Sequence, residues 1–524
     1  MNKLITSKRH LATSHDADVV KIKTERNSLG VLKTLIVVLL IAVQLFALIW
    51  SAIYISSLFK FIAILSMIFT IFTCIYVLSS DKNSQSKPIW IFFLLTCFTF
   101  GYIVYFISSE NVFWRKYKKP YANILNESYK NLQYNSQSIN NDKIQSEVQY
   151  LENAGNFIAY NNTLAQYFKS GASMFDDVLD NLKKAKNFIF IEFFIVSDGV
   201  LLTRMLDILQ EKVKNGVDVR LIYDDFGSHG SFSRKMKKKI KMAGIKLYAF
   251  NKMLPKFNVL LNYRDHRKII VIDGKVAYTG GTNLADEYIN EKRSHGYWKD
   301  AGIKLEGEAV DGLTLMFLRQ YQFVSKQDVD YLKYTNLHER IESNSVFVPY
   351  ADGLEYKQNI AKNAYTNMIA NANEKIYIMS PYFVVDDTIT NLLINKANSG
   401  VDVRIILPEI ADKKIVYIIS RNNAEKLMRH GVKLFVMKNS FVHSKVVLTE
   451  HSAVVGSINM DLRSFYQQFE DAVYTNDKKV LKDIQQDFED TFKKSELICK
   501  ANLKRNKISF RIVAGIVNLI SPFM

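Results

Sequence analysis

HRKIIVIDGKVAYTGGTN (residues 266–283) and HSKVVLTEHSAVVGSIN (residues 443–459) are two versions of one pattern. Each opens with His-x-Lys, carries an acid seven residues after the histidine (Asp273, Glu450) and closes on a Gly-containing segment ending in Asn283 or Asn459. The second is tighter: 16 residues separate His443 from Asn459, against 17 between His266 and Asn283. On a strand, residues i and i+2 share a face, so His266 points with Lys268 and His443 with Lys445. An imidazole beside an ammonium suits a phosphate. Lysine supplies a compact cation, and a histidine near neutrality can attack phosphorus or move protons. Gly281 and Ser457 are small enough for close backbone approach, and Asn283 and Asn459 can donate to phosphate oxygens.

The acids seven residues on do not belong with these groups on geometry. Seven strand steps span about 23 Å, so Asp273 cannot reach His266 along a straight strand. Asp273-Gly274 instead reads as a tight hairpin turn and Asp273 as a structural acid. The segment LTEHSA (448–453) has no glycine, so the turn at Glu450 must differ. Better candidates to orient the histidines lie further on: Asp300 in YWKDAGI and Glu470 in QQFEDAV. Each precedes an apolar stretch and can hold an imidazole by its second nitrogen, as the carboxylate does in hydrolytic triads.

The repetition extends outward. GVDVRLI (216–222) recurs as GVDVRII (400–406), AGIKLYAF (243–250) as HGVKLFVM (430–437), and KNFIFIEFFIV (186–196) more loosely as KIYIMSPYFVV (375–385), in the same order. Short β-rich runs alternate with helical stretches, so the fold class is α/β: two copies of one unit, 151–340 and 341–500, after a polar connector at 110–150. The first copy carries an apolar, basic insertion before His266, NKMLPKFNVLLNYRD (251–265), which reads as a channel lining, a lipid contact or a surface loop.

The N-terminal part is different. After a basic tail (1–33), residues 34–59, 61–80 and 88–109 carry no charge, and each run is long enough to cross a bilayer. The expectation is a transmembrane region of two or three helices over 34–109. Lysine and arginine flank both ends, which places both flanks in the cytoplasm and requires an even number of crossings. In the last segment (501–524), Ile508, Ile512 and Ile516 stand four apart beside Lys504, Arg505, Lys507 and Arg511, the pattern of a helix lying in an anionic interface. The formal charge of +18 suits nucleic acid, an anionic membrane or a phosphorylated substrate alike. The three cysteines, Cys74, Cys97 and Cys499, give neither a disulfide framework nor a zinc pattern.

The paired motifs resemble the phospholipase D superfamily signature H-x-K-x4-D followed by G-[GS]-x-N, present twice. The first copy fits in full; the second has Glu450 for the acid and one residue fewer. YDDFGS (223–228), SPYFVVDD (380–387) and DLRSFYQQFE (461–470) bring the resemblance closer to bacterial cardiolipin synthases. It implies two phospholipase D-type domains forming one site at their interface, in a multi-pass cell-membrane protein with its catalytic portion on the cytoplasmic face. Within that signature His266, Lys268, Asp273, His443, Lys445 and Glu450 are the catalytic set. Gly281, Asn283, Ser457 and Asn459 are the phosphate-binding set. The implied reaction is a two-step transfer in which His266 attacks the phosphodiester and His443 serves as acid and base, with no metal or other cofactor. The implied substrates are phosphatidylglycerol and other anionic phospholipids, not nucleic acid. Alternatives of other classes are a hydrolase or transferase with another alcohol acceptor, a superfamily nuclease motivated by the basic charge, and a non-catalytic membrane adaptor motivated by the altered second motif. On this reading Glu450→Asp changes lipid-transfer activity little and Lys445→Ala removes most of it. Equal losses in an assay of the two variants would show that the acid is misplaced.

Overall fold

The computed structural model describes residues 57–80, 87–108, 110–130, 142–252, 263–339, 341–353 and 355–499, with isolated positions 42, 43 and 46. The expectations for the basic tail, for most of the run 34–59, for residues 253–262 of the insertion and for the C-terminal segment fall outside these residues. The chain divides into two compact units, Met1–Ser109 and Glu110–Met524.

The first unit contains helices α1 (Ser57–Ser79), α2 (Lys87–Thr96) and α3 (Phe98–Ser108). Among the described residues one helix, over Phe61–Ser79, is long and apolar enough to cross a membrane. The run 88–109, long enough in sequence to cross a bilayer, does not form one straight helix. The chain turns at Cys97, and α2 and α3 fold back on one another. The rings of Trp90 and Tyr105 meet at 5.0 Å, whereas fifteen residues of straight helix would hold them about 22 Å apart. Gly101 permits the close crossing, because a Cβ there would lie 3.1 Å from the Leu94 Cα. An uninterrupted apolar composition does not distinguish a straight helix from this aromatic-pinned hairpin.

The second unit has a mixed α/β fold. It begins with α4 (Glu110–Lys130) and α5 (Asp142–Gly155). The first sheet contains β1 (Thr163–Phe168), β2 (Phe188–Phe193), β3 (Asp218–Asp224), β4 (Lys246–Phe250), β5 (Lys268–Ile272), β6 (Val276–Gly280) and β7 (Gly302–Gly307), in the spatial order β1-β7-β6-β5-β2-β3-β4. The second contains β8 (Phe347–Asp352), β9 (Lys375–Met379), β10 (Asp402–Pro408), β11 (Lys433–Met437), β12 (Val446–Thr449), β13 (Ala453–Gly456), β14 (Gln468–Thr475) and β15 (Ser495–Leu497), in the order β8-β14-β13-β12-β9-β10-β11-β15. With the added edge strand β15 aside, the two orders are the same. In both, the strands around the GVDVR segments run parallel and the hairpin carrying His-x-Lys is antiparallel to them. The GVDVR echo has a local cause. The preceding helices, Val200–Lys214 and Asp387–Asn398, both close on a left-handed glycine, Gly216 (φ 84°) and Gly400 (φ 93°). The next amide reaches back to Lys212 or Lys396, so the chain reverses into a buried valine strand in the same way twice.

The two sheets are stitched at their shared end. Arg264–Asp265 pairs in parallel with Gln468–Phe469 at the start of β14, and Tyr297–Lys299 pairs in parallel with Ser440–Val442. Each contact joins the segment before one motif histidine to the segment before the acid of the other repeat. One continuous apolar core runs through both repeats, from Phe190, Ile269 and Leu305 to Val447, Val454 and Val473.

The hairpin turns explain the unequal spacing. In the first, Ile272 pairs with Val276, leaving Asp273, Gly274 and Lys275 in the loop, with Asp273 (φ 54°) and Gly274 (φ 67°) left-handed. In the second, Leu448 pairs with Ala453 and the Thr449 amide donates to the Ser452 carbonyl, leaving Glu450 and His451 alone. The missing residue is therefore lost at the tip. Asp273 accepts the amides of Lys186, Asn187 and Phe188 at 2.7–2.8 Å. Glu450 reaches the equivalent amides of Asn373 and Lys375 at 2.6 and 3.4 Å. Burial pushes its carboxyl up, but these amides hold it below the usual range. Removing the carboxylate takes a charged acceptor from those amides, of which Asn373 is exposed and Lys375 half-buried. Glu450→Ala is expected to lower unfolding stability by about 1–3 kcal/mol, read as a shift in denaturation midpoint, and Asp273→Ala by a similar amount.

Candidate active site

The stitched end of the two sheets brings both motifs together. His266 and Lys268 stand beside the carboxyl end of β2, where Lys268 pairs with Phe193. His443 and Lys445 stand at the corresponding end of β9, where the next residue, Val446, pairs with Met379. Their backbones are fixed across the repeats: the His266 amide donates to the Phe469 carbonyl at 2.8 Å, and the His443 amide to the Lys299 carbonyl at 2.7 Å.

The side chains cross in the same way. His266 Nδ1 lies 2.8 and 3.0 Å from the two carboxylate oxygens of Glu470. His443 Nδ1 lies 2.7 Å from Asp300 Oδ2. Asp300, which follows the first motif, thus holds the histidine of the second, and Glu470 holds that of the first. Each bond engages Nδ1 and leaves Nε2 as the ring nitrogen for chemistry. Lys445 Nζ also approaches His443 Nδ1 at 2.8 Å. A nitrogen that donates to Asp300 cannot accept as well, so the ammonium hydrogens go to the His443 carbonyl, which Lys445 also contacts. Lys268 contacts the His266 carbonyl in the same manner.

All four groups are buried and charged alike, and this sets their protonation. Burial lowers Lys268 to about 8, against the pull of Glu470 and Asp471. Burial lowers Lys445 to about 7, opposed by Asp300 and reinforced by Lys268. His443 falls to about 4 through burial and Lys445, with Asp300 opposing. His266 falls well below the ordinary imidazole value through burial, Lys268 and Lys445. Both imidazoles are therefore neutral at pH 7 without a ligand. The two acids differ. Burial pushes both up; His443 and Lys445 hold Asp300 below the usual range, whereas Glu470 stays well above it despite Lys268 and Ser457.

The other sequence expectations distribute unevenly. Asp273 and Glu450, counted in the catalytic signature, stand at the far tips of their hairpins bound to backbone amides, so the geometry keeps them from the histidines. Gly281 and Ser457 pack against the two orienting acids. A Cβ at Gly281 would come within 2.1 Å of Asp300 Oδ1, while the Ser457 hydroxyl donates to Glu470 Oε2 and accepts the Asp471 amide at 2.9 Å. Asn283 has both ends of its amide engaged, accepting from the Ile195 amide at 3.0 Å and donating to the Tyr288 hydroxyl at 2.6 Å. Asn459 is buried, and its Oδ1 has no hydrogen-bond partner among the described residues.

Several neighbours escaped the sequence reading. Tyr288 and Trp298 flank His443, with ring centroids at 5.2 and 5.3 Å, and Phe194 stands 5.0 Å from His266. Arg267, inside the first His-x-Lys, is fully buried. It pairs with Glu355 at 3.1 Å and donates to the Glu470 carbonyl at 3.3 Å, fixing the acid's backbone. Arg463, inside the quoted stretch DLRSFYQQFE, lies close enough to His266 to lower its basicity. Only its place in that stretch could have singled it out.

Residues 178–298 and 365–492 match the family model of the cardiolipin synthase, PLD-like domain. The chain is 31% identical to cardiolipin synthase 1 of Staphylococcus aureus (strain COL) over 476 residues, 86% of this chain and 94% of that one. It is 33% identical to cardiolipin synthase 2 of Bacillus anthracis over 462 residues, 86% and 89% of the two chains. It is also 40% identical to an uncharacterized protein of Streptococcus mutans serotype c over 380 residues, 72% and 82% of the two chains. Among solved structures, the fold matches phosphatidylserine synthase of Haemophilus influenzae Rd KW20 with a TM-score of 0.57 at 12% identity, over 73% of this chain and all of that one. The chain belongs to the cardiolipin synthase family of the phospholipase D superfamily, a family of phosphatidyltransferases.

Proposed function

We propose that the chain is a membrane phosphatidyltransferase that converts two phosphatidylglycerol molecules to cardiolipin and glycerol through a phosphohistidine. The supporting observation is the pair of imidazoles, each tied by Nδ1 to a carboxylate of the opposite repeat, beside two buried lysines. Lys268 and Lys445 take the phosphodiester charge. The bound anion offsets the positive charge around His443, whose Nε2 takes up a proton from solvent beside the Nδ1 proton held by Asp300. His266 Nε2 then attacks phosphorus, the bond from phosphorus to the headgroup glycerol oxygen breaks, and His443 gives that oxygen its Nε2 proton. A second phosphatidylglycerol then loses its hydroxyl proton to His443, its oxygen attacks phosphorus, and the N–P bond to His266 breaks to release cardiolipin. Glu470 and Asp300 fix the rings for both steps. Water in place of the second lipid would give hydrolysis, so acceptor binding decides the product.

The roles of the histidines follow the family resemblance. The unequal acids favour a second reading with the roles exchanged, since Asp300, held below the usual carboxylate range, makes His443 the more electron-rich ring and so the readier nucleophile. We take residues 151–340 and 341–500 as the two phospholipase D-type domains. If residues 34–59 and α1 cross the bilayer while the α2–α3 hairpin does not, the crossings are even and both basic flanks stay cytoplasmic. The C-terminal segment would then lie on the same anionic face.

The test is purified full-length protein in phosphatidylglycerol vesicles, with lipid products identified by mass spectrometry. Wild type is expected to form cardiolipin and glycerol, and both His266→Gln and His443→Gln to lose at least about a thousandfold in rate. Neither product from wild type would sink the reading. With phosphorus-labelled lipid, His443→Gln is expected to hold label on protein and His266→Gln to hold none; the opposite result would exchange the roles. The ammonium groups must be charged to take the phosphate. kcat/KM is therefore expected to fall as pH rises through about 7 and 8, the values of Lys445 and Lys268. A pH–rate profile flat from about 6 to 9 would contradict that assignment.

A further inference from the structure

The two repeats match in topology but not in what they offer a ligand. Asn283 and Asn459 are equivalent, since Gly280 pairs with Gly302 as Gly456 pairs with Ala472. Asn283 has both ends of its amide engaged, by Ile195 and Tyr288. Asn459 is 6% exposed, and among the described residues its Oδ1 has no partner. Four residues further on, the first repeat has Glu287, which pairs with Lys292 at 2.6 Å. The second has Arg463, whose Nε is shielded from solvent without a hydrogen-bond partner, and no ion pair to Arg463 occurs among the described residues. Arg463 acts on His266, and the groups acting on it are Asp461, Asp224, Glu470 and Tyr382. Tyr382 in turn feels Tyr288, the neighbour of His443. Arg463 thus lies among the groups that surround both histidines.

An orphaned guanidinium nitrogen asks for an anionic acceptor, and an orphaned amide oxygen asks for a donor. A phosphodiester alone satisfies only the first, because it carries no hydrogen. A headgroup with both a phosphodiester and a free hydroxyl satisfies both. Of the two lipids in the proposed reaction, the donor's phosphodiester already meets Lys268, Lys445 and the histidines. The acceptor brings a second phosphodiester, one glycerol unit from the attacking hydroxyl, and Arg463 is the cation beside His266 that the donor phosphodiester leaves unengaged.

We propose that Arg463 and Asn459 form the acceptor subsite, Arg463 holding the phosphodiester of the incoming lipid and Asn459 Oδ1 taking a hydrogen bond from its glycerol hydroxyl. The inference rests on the transferase reading above and names what selects a phospholipid over water or a free alcohol. It also accounts for a built asymmetry: the first repeat, with Glu287 at the equivalent position, cannot bind a second anion.

The test uses the phosphoenzyme as a common branch point. Full-length protein in phosphatidylglycerol micelles is supplied with labelled glycerol. The intermediate then partitions between cardiolipin and labelled phosphatidylglycerol, which the same protein forms when glycerol is the acceptor. Arg463→Gln is expected to lower the ratio of cardiolipin to labelled phosphatidylglycerol at least about tenfold, and Arg463→Lys to restore part of it. An unchanged ratio, with both products falling together, would overturn the subsite and place Arg463 on the donor phosphate. In wild type alone, glycerophosphoglycerol is expected to outcompete glycerol as acceptor at equal concentration; equal use of the two would also overturn it. Formation of neither product by wild type would instead refute the transferase reading itself.

Discussion

The site depends on carboxylates that cross between repeats. His266 is held by Glu470 and His443 by Asp300, and the strand pairs Arg264–Asp265 with Gln468–Phe469 and Tyr297–Lys299 with Ser440–Val442 carry the backbones that make those contacts. A histidine bound to an acid of its own repeat could keep its orientation with the halves apart. Here neither ring is oriented until both halves are folded and docked. Orientation of the nucleophile, orientation of the acid and closure of the interface are thus one cooperative event, supported by a core that runs through both sheets. Each half presents the other with what it needs, as in an isologous contact between identical subunits.

Burial is the cost of this arrangement. Two lysines and two histidines are taken out of water next to one another, and the charged forms of all four become less favourable. The free site resists holding four positive charges and is correspondingly ready for an anion, which restores the lysines to their charged state. Asp300 is held below the usual carboxylate range inside this cluster while burial pushes Glu470 well above it, so the two halves, alike in fold, are unlike in proton affinity.

The repetition of one α/β unit is legible in the sequence because its determinants are local. A left-handed glycine after a helix, followed by an alternating valine strand, marks the GVDVR segments twice, and the i, i+2 spacing aligns each His with its Lys. The reading of Asp273 as structural rests equally on local geometry, since strand rise alone separates it from His266. What was not legible depends on contacts distant in sequence. Asp300 and Glu470 stand out as orienting acids, but nothing near them says which histidine each serves. The glycine at 281 suggests a phosphate cradle, yet its reason is Asp300, nineteen residues away in sequence and 2.1 Å from a would-be Cβ. The apolar run at 88–109 has the composition of a spanning helix, and a contact between Trp90 and Tyr105 decides otherwise.

The tip of the second hairpin carries a further implication. Relative to the first, it has lost one residue from the turn and gained one methylene in the acid, and the carboxylate still meets the equivalent backbone amides. The two differences offset each other: the longer side chain spans the distance that the shorter turn opens. What looks like decay in the second motif is a compensated turn, and any cost of altering it falls on the hairpin tip, not on the histidines at the other end of the strand.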